Sequence, residues 1–102
     1  MSTLFGTRLL AIRTLRDMTQ TEVGEKAGFS DSAATRVSQY ERGVHVPPYA
    51  VAEQLAKALD VPTAYFYAKD DALADWILAY AKTSASKRRA IIEDAGIHPR
   101  KS

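Results

Sequence analysis

The chain of 102 residues has no cysteine, which excludes a disulfide framework and any thiolate metal site. It lacks any apolar stretch approaching the roughly 20 residues of a membrane span. The opening run MSTLFGTRLLAIR has neither the basic head nor the apolar run of a signal peptide, which predicts a cytoplasmic protein. Strand-like alternation, internal repeats and low-complexity tracts are missing too. His45 and His98 lie far apart without a third ligand, so neither a metal nor another cofactor is expected. No Gly-rich phosphate loop, HExxH or recognisable Ser/His/Asp set is present, and no small-molecule site is evident. These absences argue against an enzyme.

A large charge of one sign is also lacking. The formal net charge is only +2. Residues 1–50 carry six Lys/Arg against five Asp/Glu, and residues 51–83 carry three against five. The tail from Ser84 carries five (Lys87, Arg88, Arg89, Arg100, Lys101) against two. Strong non-specific binding of nucleic acid usually needs a larger excess, so any such affinity must rest on the placement of a few groups.

What the chain does have is helical periodicity, at a length suited to one small domain with a short appendage. Phe5, Leu9, Ile12 and Leu15 predict a first helix over 4–17, with Arg8, Arg13 and Arg16 on other faces. Thr19 and Glu22 form a capping-box pattern that starts a second helix at Gln20, with Val23 and Ala27 inward and Gly28 ending it. A third helix, N-capped by Ser30 or Asp31, turns Ala34 (or Ala33), Val37 and Tyr40 inward and stops before Gly43. GVHVPP is a loop, followed by a fourth helix over 49–59 and a short helical turn through Ala64, Tyr65 and Phe66. Asp70 and Asp71 favour a new helix start, with Leu73, Trp76, Ile77 and Tyr80 in a stripe. A weak last helix covers 86–95, and HPRKS reads as a frayed end. The fold class is all-α.

The informative stretch is Thr19 to Gly43, TQTEVGEKAGFSDSAATRVSQYERG. It reads as two short helices joined by a tight turn. Their close crossing needs a small residue, and Gly24 supplies it at a propensity cost of about 1 kcal/mol relative to Ala. With Val37 and Tyr40 inward, Arg36, Gln39 and Thr35 fall on or near the opposite face, and Ser38 lies to one side. Such hydrogen-bonding side chains suit the major groove of DNA. Arg can bridge guanine O6/N7 and Gln adenine N6/N7, each discriminating by about 1–3 kcal/mol.

In order and spacing, Arg13, TQTEVGEKAG, VSQYERG and AEQLAKALDVP resemble the Cro/C1-type, or xenobiotic-response-element, helix-turn-helix family of bacterial and phage regulators. The resemblance covers about residues 5–67. It implies a lambda-repressor-like five-helix domain, here followed by one or two C-terminal helices. It further implies that Arg13 pairs with Glu41 and that Gln20, with Thr19 and Arg42, meets DNA phosphates. Base contacts then fall to Arg36, Gln39, Thr35 and Ser32. The fifteen positions from Gly28 to Gly43 exceed the family spacing by about three, within Asp31–Ala34. Those residues either lengthen the turn or extend the third helix by nearly one turn, and Asp31 suits capping more than contact with phosphate.

The sequence therefore divides into a DNA-binding domain over 1–69 and a helical extension over 70–102. The implied function is binding of double-stranded DNA and regulation of transcription, as a homodimeric repressor on an inverted repeat. The Leu73/Trp76/Ile77/Tyr80 stripe either closes the core or forms the dimer seam. Two rivals stand beside this: an adaptor or antitoxin-like interaction module with the same fold, and RNA binding through the basic tail.

Overall fold

The computed structural model describes residues 2–98, so the Pro99–Ser102 part of the end read as frayed lies outside the described residues. Six α-helices and one 3₁₀ turn make up these residues, which contain no strand. They are α1 (Leu4–Leu15), α2 (Gln20–Lys26), α3 (Ala33–Glu41), α4 (Tyr49–Leu59), the 3₁₀ turn Thr63–Tyr67, α5 (Asp71–Ala81) and α6 (Ala85–Asp94).

The starts of α1, α2 and α5 follow the local chemistry. Thr3 Oγ1 accepts from Gly6 N to open α1, and Asp70 accepts from Ala72 N to open α5. The Thr19–Glu22 capping box is complete in both directions, 2.9 Å and 3.0 Å. Hydrogen bonds from the Thr19 backbone, and then its side chain, hold the Glu22 carboxyl below the usual carboxylate range.

The end of α1 was not legible. α1 stops at Leu15 instead of running to Asp17, because Asp17 turns left-handed (φ 55°). Its amide then donates to Thr14 O, and the Met18 amide to Arg13 O. Asp60 (φ 56°) closes α4 in the same way, with Val61 N reaching Ala56 O. Asp tolerates this conformation because it is small and polar, at some cost relative to Gly.

The core lies where α1, α3, α4 and the 3₁₀ turn converge. Phe66, Leu9, Ile12, Leu55, Leu59, Val23 and Val37 are its largest fully buried side chains. Phe5 and Phe66 pack with ring centroids 4.6 Å apart. α5 joins through the buried Ala74 and the partly buried Ile77. The stripe is otherwise outside that core: Leu73, Trp76 and Tyr80 are 50%, 62% and 54% exposed. α6 buries no residue at all, and the described residues extend 46 × 26 × 25 Å.

Arg8 and Arg13 of α1, and Arg16 at its C-cap, are not solvated charges on idle faces. Arg8 is buried and donates to Ala68 O at 2.9 and 2.7 Å, with Asp71 at 2.9 Å. Arg16 donates to Leu59 O at 2.9 Å and Asp60 O at 3.2 Å, satisfying carbonyls at the end of α4. Arg13 reaches α3, as described below.

Gly24 sets how α2 crosses α3. A Cβ there would stand 2.7 Å from Ala33 Cβ and 2.8 Å from Ala33 O. Gly24→Ala gains about 1 kcal/mol of helix propensity but incurs about 1–3 kcal/mol of overpacking against backbone. The expected outcome is a lower urea midpoint with an unchanged m-value; a higher midpoint would reject the close crossing.

Candidate nucleic-acid interface

The interface is built on the turn between α2 and α3. Gly28 (φ 93°) closes α2, and the Phe29 amide donates back to Gly24 O at 2.9 Å. The chain then runs through exposed Ser30, Asp31 and Ser32 before α3 begins at Ala33. The extra residues therefore lengthen the turn and do not extend the helix. Neither Ser30 nor Asp31 is the N-cap. That position belongs to Ser32, in a left-handed conformation (φ 54°) and with no side-chain capping bond. The Gly24–Ala33 contact gives the reason: α3 starts where Ala33 meets the notch in α2.

From Ala33 the faces follow the helical period. Val37, Tyr40 and Glu41 are buried. Thr35 and Gln39, one turn apart, lie on the side away from them; Thr35 is exposed and Gln39 half-buried. Arg36 does not share that outer face. It precedes Tyr40 by four residues, so the two are neighbours along the helix surface. Its guanidinium lies 3.8 Å from the Phe29 ring centroid, and Nη2 donates to Tyr40 Oη at 3.3 Å. Sequence reading missed Phe29 altogether, although the four-residue spacing of Arg36 and Tyr40 was there to be read.

The groups assigned to phosphate are arranged around this helix. Gln20 is half-buried and its Nε2 donates to Glu41 Oε1 at 3.0 Å, which leaves one amide hydrogen and the carbonyl oxygen for other partners. Thr19 Oγ1 accepts from Glu22 N, so its hydroxyl hydrogen remains available. Arg42 is exposed, with Nε on Ser38 Oγ at 3.1 Å.

Arg13 and Glu41 join beneath that surface. Arg13 Nε and Nη2 contact the two carboxylate oxygens at 2.5 and 3.1 Å, and Nη1 donates to Met18 O at 3.0 Å. The side chains are only 18% and 5% exposed, so this is an interior pair and not a surface one. Removing one partner of a buried pair typically costs about 3–5 kcal/mol, because the other charge is stranded. Arg13→Ala should lower the unfolding free energy in urea by that order; a loss under about 1 kcal/mol would rank the pair with weak surface bridges.

Among the described residues no group of three or more His, Cys, Asp or Glu side chains is placed to hold a metal ion. None of the described helices is long and apolar enough to cross a membrane.

Residues 9–66, from within α1 through most of the 3₁₀ turn, match the family model described as helix-turn-helix. The chain belongs to the Cro/C1-type helix-turn-helix family. Its all-helical architecture is the lambda-repressor-like one of that family, with α2 and α3 as the helix-turn-helix. The solved structure of the transcriptional regulator BswR matches with a TM-score of 0.83 at 36% identity, over 89% of this chain and 91% of that one. That share includes most of the residues after 66, so the likeness runs past the family segment into the C-terminal helices. No curated protein matches.

Proposed function

We propose that this family member is a sequence-specific regulator of transcription that works in the cytoplasm as a homodimer, binding an inverted-repeat operator and repressing by occupying the promoter. The observation that carries the reading is the free outer face of α3, where Thr35 and Gln39 stand one turn apart with nothing packed over Thr35. Gln20 heads the neighbouring helix and is tied to α3 through Glu41. That is the arrangement in which one helix enters the major groove while the other crosses the backbone. The likeness to BswR, a transcriptional regulator, supports the same reading.

In this reading Gln39 pairs with an adenine edge, Arg36 with a guanine, and Thr35 and Ser32 complete the readout. Gln20, Thr19 and Arg42 fix the register on phosphates. Exposure of Leu73, Trp76 and Tyr80 supports a second copy on α5, since a two-fold site calls for a two-fold protein. An adaptor of antitoxin-like character is the second reading, favoured by one observation: Arg8, Arg13 and Arg16 are committed to internal partners.

Selection from a random double-stranded library tests the reading. Enrichment of an inverted repeat with half-sites about one helical turn apart is the expected result. No enrichment at low salt would reject it in favour of the adaptor. Salt separates the two again, because phosphate contacts weaken with ionic strength whereas an apolar partner on the Trp76 stripe would not.

Substitutions divide the roles. Gln39→Ala should lose about 1–3 kcal/mol of discrimination at one base position per half-site, whereas Gln20→Ala should weaken all sequences alike. If both variants act uniformly, α3 is not the reader. Trp76→Ala removes an exposed side chain, so the fold should survive and sedimentation should give a monomer; a persisting dimer would move the seam elsewhere.

A further inference from the structure

Phe29 is 5% exposed, yet its ring does more than fill the core. One side meets the Tyr40 ring nearly edge-on, with centroids 6.3 Å apart at 62°. A face carries the Arg36 guanidinium at 3.8 Å, and Tyr40 Oη takes one of its hydrogens. The Phe29 amide, bonded to Gly24 O, anchors the ring from the backbone side. Arg36 is thus held by its plane on Phe29 and by one corner on Tyr40.

We infer that Phe29 and the Tyr40 hydroxyl are positioning residues for Arg36, holding its guanidinium plane ready for bidentate contact with a guanine. The inference rests on the proposed readout by α3. Stacking engages the face of a guanidinium, whereas hydrogen bonds leave from its edge. Of the five N–H groups only one, on Nη2, has a partner among the described residues, so four remain for a ligand. A flexible arginine must be ordered as it binds, and ordering it beforehand lowers that cost. The sequence order matters as well. Phe29 comes directly after Gly28, so the turn that aims α3 also supplies the platform.

The experiment uses the full chain and the operator obtained from the random library. Dissociation constants are measured for that operator, for each of its single base-pair variants and for non-specific DNA, alongside thermal unfolding. Arg36→Ala should abolish discrimination at one base pair of each half-site and thereby identify it. Tyr40→Phe, which removes only the hydroxyl, and Phe29→Leu, which keeps an apolar filler, should each lower discrimination at that same pair several-fold. Affinity for non-specific DNA and discrimination elsewhere should stay unchanged, and Phe29→Tyr should restore the platform. A purely structural role would shift every base position together. If Arg36→Ala relaxes one position while Tyr40→Phe and Phe29→Leu both leave it intact, the platform is refuted and the readout stands. If Arg36→Ala relaxes no position in a folded protein, Arg36 is not a reader, and both ideas fall.

Discussion

The carboxylate of Glu41 is the point on which the rest of the architecture depends. It is buried at the end of α3, where an unpaired charge would be costly, so neighbouring helices must bring it donors. α1 brings Arg13 with two nitrogens, and α2 brings Gln20 with one. Three helices are thereby referred to a single group. The backbone enforces the same convergence, since a Cβ on Gly6 would lie 2.5 Å from Glu41 O, so α1 and α3 touch main chain to main chain. Stability and function share this device. Gln20, which binds Glu41, also begins the helix assigned to the DNA backbone, so the angle between that helix and the reading helix is set by a hydrogen bond.

Electrostatics follows from the same economy of donors. Half of the six basic side chains in residues 1–50 are Arg8, Arg13 and Arg16, each turned toward carbonyls or a carboxylate of the protein. They fasten α1 to the end of the 3₁₀ segment, to α3 and to the end of α4. What remains for an outside partner is Lys26, Arg36 and Arg42, and Arg36 is itself stacked on Phe29. Residues 1–50 so equipped offer little general attraction for a polyanion. In the proposed function, affinity for an operator comes from fit, through the few groups that stand free on α3 and at the start of α2.

Features governed by neighbours in sequence were legible, and features governed by neighbours in space were not. The Thr19 capping box and the extent of α4 could be read because each depends on residues within a turn or two. The end of α1 could not, because Asp17 takes a conformation whose usual signal is glycine. The start of α3 depends on where Ala33 meets Gly24, a contact between helices, so local capping rules pointed to Ser30 or Asp31 instead. Arg36 was assigned to the outer face by exclusion, whereas four-residue spacing from Tyr40 puts it on the flank. The period of the α5 stripe left core and seam both open; in the fold Ala74 and Ile77 make the core contact and Leu73, Trp76 and Tyr80 stay outside.

The C-terminal helices carry the remaining consequence. α6 is ten residues long, buries none of them and is fastened to α5 by Arg88, which donates to Tyr80 O at 2.9 and 2.7 Å and lies over the Tyr80 ring. A helix of that length is marginal in water unless tertiary packing supports it. Ile91 on α6, with Leu73, Trp76 and Tyr80 on α5, stays exposed beside that clasp. The proposed dimer supplies the missing burial, since a two-fold axis sets the same uncovered surface of each copy against the other. It also supplies a reason for the extension. A domain whose few free charges give little non-specific hold gains most from doubling its contacts, because the second half-site is then bound at high effective concentration. In the proposed dimer, the weak charge of the helix-turn-helix segment and the apolar surface of the C-terminal helices are complementary parts of one binding strategy.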